Sequence, residues 1–176
     1  MAKVLDSKTP LGSMFMDEQR VVEDSIRALG YVVVRTGRDD SSHDVSIMKM
    51  IGGKLVTVAI AEIKSRISQK GDPLTLDFIK NSDGYFISYS KIEHGSNVSR
   101  EKGVPFYVIV SLMADNIILS WKVTNDSGEI ICDPKIKVVQ SRKTVNGGTA
   151  YRTNAFLPYR PENVKTIGRI NVRGLV

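Results

Sequence analysis

Cysteine and histidine are scarce in this chain of 176 residues, which has one cysteine and two histidines. Cys132 has no partner for an internal disulfide, and a lone cysteine cannot supply the clustered thiols of a structural zinc site. This scarcity agrees with a reducing compartment. We therefore expect a cytoplasmic protein.

Long apolar runs are missing as well. No segment approaches the ~18 apolar residues that cross a bilayer, and the first residues, MAKVLDSKTPLGSMFM, lack the apolar block of a signal peptide. We expect no membrane contact. Hydrophobic and charged contents of 41% and 25% are typical of a globular domain. The length predicts a single domain over 1–176, with a loose arm at 1–14, a core over about 15–125 and a basic extension over about 134–176.

Acidic residues almost disappear from the last quarter of the chain. From Pro134 onward there are nine Lys or Arg residues against one acid, Glu162, so this segment carries +8 while residues 1–133 carry −2. Such asymmetry favours a polyanionic partner, with nucleic acid ahead of an acidic membrane because no basic amphipathic helix is evident. The alternative is a solvated basic surface.

Apolar periodicity predicts a mixed α/β fold with an N-terminal helix packed on a sheet and a C-terminal half rich in β hairpins. Phe15, Val22, Ile26 and Leu29 share one face of a helix near 16–29 that stops at Gly30. The other expected elements are strands at 31–35, 44–50, 54–64 and 106–113, a helix near 74–81, a strand pair at 117–123 and 129–133, and a hairpin around Val145–Gly148. The segment 85–92 is expected to be a strand or the start of one.

One stretch of this pattern, HDVSIMKMIGGKLVTVAIAEIKSR, ends an apolar strand on charged residues. Side chains alternate along a strand, so Glu62 and Lys64 point to the same face, about 6.6 Å apart. A strict two-residue turn at Gly52-Gly53 would set Asp44 opposite Ala61. A three-residue loop or a single β-bulge would instead set Asp44 across from Glu62 on the same face.

A further acid comes from the first helix. At 100° per residue, Glu18 lies within about 40° of the apolar direction, whereas Glu23 lies about 100° away. We therefore expect Glu18 to point inward and to converge with Asp44 and Glu62. Such hard oxygen ligands suit Mg²⁺ or Mn²⁺, beside which Lys64 could hold a nucleophilic water and neutralise phosphate charge.

These residues resemble the signature of the PD-(D/E)XK phosphodiesterase superfamily: Asp44, a hairpin, then Glu62-Ile63-Lys64, preceded by a helix acid, Glu18. His43 stands where the signature has proline. The resemblance covers roughly 15–90 and implies a restriction-endonuclease-like core, with a mixed central sheet flanked by helices. It also implies that Asp44, Glu62 and the carbonyl of Ile63 bind one or two Mg²⁺ or Mn²⁺ ions, that Glu18 is an outer or second-metal ligand, and that Lys64 assists the attacking water.

The same resemblance implies a phage or prokaryotic endonuclease that cuts DNA rather than RNA, works as a homodimer and needs no small-molecule cofactor. Polar residues that follow the lysine, Arg66, Gln69 and Lys70, would contact the substrate. The basic hairpin with Arg142, Lys143 and Arg152 would bind phosphates, although its charges could equally serve to prevent edge-to-edge strand pairing.

Two other functions remain open. The chain could be a non-catalytic nucleic-acid-binding protein that uses its basic C-terminal half. It could also be a structural or partner-binding domain in which Glu62 and Lys64 form a salt bridge at a strand end.

Overall fold

The computed structural model describes residues 10–36, 43–65, 68–69, 72–140 and 150–170, with the side chains of the first helix described from Gln19 onward. The helices are α1 (Pro10–Ala28), α2 (Leu76–Asn81) and α3 (Tyr89–Lys102). The strands are β1 (Val32–Arg35), β2 (Val45–Ile51), β3 (Lys54–Ser65), β4 (Ser68–Gln69), β5 (Asp72–Pro73), β6 (Tyr85–Ser88), β7 (Phe106–Leu112), β8 (Ile117–Lys122), β9 (Lys135–Gln140), β10 (Tyr151–Leu157) and β11 (Val164–Arg169).

A six-stranded mixed sheet in the order β1-β2-β3-β7-β8-β11 forms the centre of the fold. Strands β3 and β7 are parallel, and the chain passes between them through β4, β5, α2, β6 and α3. The remaining neighbours in this sheet are antiparallel. A smaller antiparallel sheet has the order β6-β10-β9. The expected α/β class with a mixed sheet and flanking helices is confirmed.

Helices α1 and α3 cover opposite faces of the central sheet. Val22 and Ile26 of α1 belong to one apolar cluster with Ala61 of β3, while Ile92 of α3 belongs to another with Ile60. Because neighbouring residues of a strand point to opposite faces, the two clusters lie on the two sides of the sheet. Two apolar layers therefore bury β3 from both sides, which explains its long apolar run.

The first helix differs from its prediction at both ends. It begins at Pro10 rather than near residue 16, and it ends at Ala28. Proline suits a first helical position because its missing N–H has no intrahelical partner there. Val22 and Ile26 are buried as expected, but Leu29 is 55% exposed because it lies in the turn that leads to Gly30 at φ 88°. No helix in the described part of the chain is long and apolar enough to cross a membrane.

Glu23 is buried, which contradicts the helical-wheel expectation. It is 2% exposed, and its Oε1 accepts a hydrogen bond from Nε of Arg35 at 2.7 Å. Its Oε2 accepts from Arg27 at 3.2 Å. A helical wheel gives the direction of a side chain but does not show which neighbouring element buries it. Here Arg35 of β1 lies beside this side of the helix. Glu23 is therefore a structural ion-pair residue.

The segment expected as a strand at 85–92 divides into β6 and the start of α3. Gly95 allows the helix to approach the sheet, because a Cβ atom there would lie 2.3 Å from the Phe106 ring. This close packing fixes the first turns of α3 above the end of β3.

The expected pairing of 117–123 with 129–133 is wrong. It is reduced to one bridge, between Thr124 and Ile130, while β8 pairs with β7 on one side and β11 on the other. Trp121 and Leu119 are fully buried in the same strand. A strand with bulky buried residues needs sheet neighbours along its whole length, and β7 and β11 supply them. The predicted hairpin of β9 and β10 is confirmed, and its tip lies outside the described residues.

Cys132 should be unreactive until the protein unfolds. Its side chain is fully buried, and burial raises the pKa of the thiol from 9.0 to about 12. The thiolate is the reactive form, so at about pH 8 we expect negligible labelling by a thiol-specific disulfide reagent in the native state. Rapid, stoichiometric labelling is expected in denaturant. Equal labelling rates in the two states would contradict this burial.

Candidate active site

A β-bulge sets the register between β2 and β3. Ile51 pairs with Lys54, so the turn contains only Gly52 and Gly53, which have φ values of 57° and 78°. Glycine adopts this left-handed conformation without the steric cost that a Cβ atom would add, so it suits both turn positions. A regular ladder from this turn would set Asp44 opposite Ala61.

The ladder shifts before it reaches Asp44. Met48 pairs with Thr57 and Ile47 with Ala59, which leaves Val58 as the extra residue. The shifted ladder continues to the pair of Val45 with Ala61. The next residues in this register are Asp44 and Glu62. The bulge therefore sets Asp44 across from Glu62 on the same face of the sheet, as a shared metal site requires.

Asp44 lies just past the ladder and is held on several sides. Its Oδ2 accepts a hydrogen bond from the backbone N–H of Ile63 at 2.8 Å, and its own N–H donates to the carbonyl of Ala61 at 3.0 Å. The carbonyl of Asp44 accepts from the backbone N–H and the hydroxyl of Thr36, at 3.0 and 3.1 Å. The carboxylate is therefore fixed beside β3 at Ile63.

Glu62 is fully buried and ion-paired through one oxygen. Its Oε1 lies 2.6 Å from Nζ of Lys64 and 3.2 Å from Nζ of Lys91. Glu62 and Lys64 share a face of β3, as the strand alternation predicts. Both carboxylate oxygens of Glu62 are buried without a hydrogen bond to a described residue, and Oε2 lacks an ion-pair contact as well. A buried carboxylate oxygen without a partner is costly, so Oε2 is an acceptor available to a ligand.

Lys91 is a site residue that the sequence reasoning missed. It lies in the first turns of α3, with its side chain 31% exposed. The missed signal was the helix itself: Ile92, Ser96 and Ser99 are buried at spacings of four and three residues. That spacing defines an inward helical face next to Lys91.

An open cleft of about 320 Å³ adjoins these residues. Its lining is Gln19 of α1, Asp44, Ile63, Lys64 and Ser65. Lys64 thus contacts both this cleft and the buried Glu62. The side chain of Glu18, the expected helix ligand, lies outside the described residues. Within the described part of the chain there is no cluster of three or more His, Cys, Asp or Glu residues able to hold a metal ion.

Two carboxylates and a backbone carbonyl remain as a ligand set. Mg²⁺ in phosphate-handling sites is commonly bound through one or two carboxylates, with waters and substrate oxygens filling the other positions. The orphaned Oε2 of Glu62 and the fixed carboxylate of Asp44 fit that requirement, and the carbonyl of Ile63 belongs to the residue directly after Glu62, whose N–H binds Asp44. These residues could hold a single divalent cation.

No protein-family model matches this chain, and no curated protein matches it. The chemistry of the site therefore has to be argued from its own geometry.

The expected nucleic-acid contacts are only partly described. Arg66, Lys70, Arg142 and Lys143 lie outside the described residues, and of Gln69 only the backbone is described, in β4. Arg152 is exposed on β10 and lines an open cleft with Ser88, Tyr89 and Ser90 at the start of α3. This is the helix that carries Lys91.

Two other basic residues of the C-terminal half are engaged in ion pairs. Lys135 and Lys137 of β9 both bind Asp83, and their ammonium groups, Lys137 foremost, lower the pKa of that carboxyl from 3.8 to about 2. Part of the basic excess is thus neutralised within the fold.

Proposed function

We propose that the chain is a divalent-metal-dependent endonuclease that hydrolyses phosphodiester bonds in DNA. The observation that carries this proposal is the buried Glu62, whose Oε1 is ion-paired to two lysines while Oε2 has no hydrogen-bond partner among the described residues. An arrangement that served only to neutralise Glu62 would be expected to use both of its oxygens.

The element order supports a restriction-endonuclease-like core as part of the proposal. Helix α1, strand β1, the β2–β3 hairpin, helix α3 and strand β7 follow one another, with β4, β5, α2 and β6 inserted before α3. The parallel pairing of β3 with β7 brings the ends of two central strands to the edge where Lys64 lies. Fold resemblance alone does not specify an activity, so the proposal depends on the site.

The side chains have separate tasks in this proposal. Asp44, Glu62 and the carbonyl of Ile63 would hold Mg²⁺ or Mn²⁺, with Glu18 as a further ligand. When bound, the ion activates water and stabilises negative charge on phosphate. Lys64 donates hydrogen bonds to the phosphate oxygens on which negative charge develops as water attacks phosphorus and the P–O bond breaks. Lys91 holds Oε1 of Glu62, which leaves Oε2 directed to the ligand.

DNA is the proposed substrate, with RNA as the less favoured one. A homodimer is the proposed assembly, because cutting both strands of a duplex requires two sites and the described residues of one chain supply one. Light scattering coupled to gel filtration measures the mass directly, and a monomer that makes double-strand cuts in single binding events would contradict this assembly.

A structural role is the second candidate, and the 2.6 Å contact between Lys64 and Glu62 favours it. In that case the charges only neutralise one another at the end of β3. The two functions differ in what they require of Asp44, which contacts neither lysine in any described ion pair.

The direct test uses Asp44→Asn, because asparagine keeps the acceptor for the N–H of Ile63 and removes the charge. We expect wild-type protein to cut plasmid, junction or single-stranded DNA with Mg²⁺ or Mn²⁺ and not with a chelator, and Asp44→Asn to lose at least about a hundredfold in rate. The matched control is Asp126→Asn, at an exposed turn position. No metal-dependent cleavage of any of these substrates, or equal rates for the two variants, would overturn the proposal.

A further inference from the structure

Among the described residues, helix α1 leaves part of its face of the central sheet uncovered. Beyond the end of the helix lies an open cavity of about 650 Å³, which we call the α1 groove. Its floor is apolar and comes from neighbouring strands, with Ile47 of β2, Ala59 of β3 and Ile109 of β7. Ile26 and Leu29 at the end of α1 form a wall. This volume is within the range of ordinary ligand sites.

Three lysines line the groove. Lys49 lies on β2, Lys122 on β8 and Lys165 on β11. None of them forms an ion pair with any described carboxylate, although Glu162 also lines the groove. Unpaired cations around an apolar floor indicate an occupant that is anionic and has apolar faces.

The spacing of the lysines distinguishes between anions. Strands β2 and β11 are four positions apart in the sheet, which separates the backbones of Lys49 and Lys165 by about 19 Å across the strands. An offset along the strands adds to this distance, because Lys49 is level with Val56 of β3 and Lys165 with Ile63. A single carboxylate or phosphate cannot contact both ends. A chain of phosphates can, because its charges recur along its length.

Two half-buried tyrosines supply aromatic surface. Tyr107 of β7 pairs directly with Lys122 of β8 across the ladder, so the two side chains project from the same face of the sheet. Tyr31 lines the same groove just after α1. Burial, with smaller effects of Asp126 and Tyr31, raises the pKa of Tyr107. Tyr107 therefore remains uncharged near neutral pH, and both rings can stack with planar groups.

We propose that the α1 groove binds a short segment of single-stranded nucleic acid, with bases against Tyr31 and Tyr107 and phosphates at Lys49, Lys122 and Lys165. Alternating planar apolar groups and regularly spaced anions are the chemistry that this lining fits, and sequence-independent binding of single strands uses the same two components. A fatty acid is a less suitable occupant, because its single charged end cannot contact both Lys49 and Lys165.

The groove is separate from the candidate active site. It lies on the α1 face, whereas Glu62 shares its face with Lys64 and contacts Lys91 of α3. Along β3, Ala59 at the groove and Lys64 at the site are five residues apart, about 17 Å, although Ile109 of the groove floor pairs with Ile63 beside the site. The inference therefore goes beyond cleavage and can be tested without it.

Fluorescence anisotropy with a labelled oligothymidylate of about 12 nucleotides, in chelator, tests the groove directly. We expect Lys49→Ala/Lys165→Ala to weaken binding about tenfold and to reduce the slope of log affinity against log salt by about 1.4. The charge-matched control is Lys54→Ala/Lys102→Ala, at two exposed positions outside the groove. Equal affinities of the two double variants would overturn the proposal.

Substitutions of Tyr107 test stacking separately from charge. Tyr107→Phe should bind like wild type, while Tyr107→Leu should lose about tenfold. Circular dichroism and thermal unfolding check that both variants fold. Unchanged binding by a folded Tyr107→Leu, tighter binding of duplex than of single strand, or displacement of the oligonucleotide by decanoate would each contradict a single-strand groove. If Tyr107→Leu does not fold, Tyr31→Leu replaces it with the same expected loss.

Further binding measurements distinguish a failure of the groove proposal from a failure of the nuclease proposal. Glu62→Gln should bind the oligonucleotide as wild type does, because Glu62 lies on the opposite face. If Glu62→Gln loses cleavage but still binds the oligonucleotide, the groove proposal is supported. It is supported equally if the wild-type protein binds the oligonucleotide but never cleaves DNA. Oligouridylate of the same length should bind within a few fold of oligothymidylate, since the lining recognises no sugar hydroxyl. Loss of binding in Glu62→Gln would overturn the separation of the two sites.

Discussion

Replacing Glu62 by glutamine is expected to lower the rate of metal-dependent DNA cleavage by at least about a hundredfold while the protein stays folded. Residues that only orient metal ligands cost about 10- to 100-fold when removed, so a direct ligand should cost at least that upper value. Glutamine keeps the shape of the side chain but loses its charge. Lys64 and Lys91 are 30% and 31% exposed, so water can solvate them once the carboxylate is gone.

The measurement is the single-turnover rate on supercoiled plasmid with saturating Mg²⁺, beside thermal unfolding of the same samples. Glu101→Gln is the matched control, because Glu101 is an exposed acid near the end of α3. A folded Glu62→Gln that cleaves as fast as Glu101→Gln would remove Glu62 from the site. A shift of activity toward higher Mg²⁺ concentration, seen in Glu62→Gln alone, would support the ligand role specifically.

Strand alternation was sufficient to predict that Glu62 and Lys64 share a face, because this depends only on positions two residues apart in β3. The register of Asp44 could only be stated as a condition. Val58 lies in an apolar run that fills either face equally well, so nothing in the local pattern indicates which residue is extra. The bulge is set by how β2, β3 and their neighbours pack together.

Helix α3 escaped prediction for a different reason. Its inward face is largely small and polar, and hydrogen bonds replace apolar contacts there. Ser96 Oγ donates to the carbonyl of Gly128 at 2.6 Å, and Ser99 Oγ donates to that of Val104 at 2.6 Å. Hydrophobic periodicity cannot detect such a face. The role of Lys91 was not predicted either, because its contact with Glu62 forms only when α3 packs on the sheet.

Removal of both lysines that contact Glu62 is expected to destabilise the protein by on the order of 3 kcal/mol, because it leaves a fully buried carboxylate without a cation. The variant is Lys64→Met/Lys91→Met, in which methionine keeps the apolar length of each side chain. Either single substitution leaves one lysine on Oε1 and should cost less than half of the double. The measurement is the free energy of unfolding from urea titration.

Adding Glu62→Gln to the double variant should restore most of the lost stability, since it removes the charge that the lysines neutralised. Equal stability of the double and triple variants would contradict the assignment, because the loss would then come from the lysines' packing.

The same set of variants also separates the two candidate functions. If Lys64 only neutralises Glu62, then Lys64→Met with Lys91 retained changes stability slightly and nothing else. If Lys64 also stabilises charge on a phosphate, the same variant loses about 10²- to 10³-fold in cleavage rate at nearly unchanged stability. A rate loss without a stability loss cannot come from an ion pair alone.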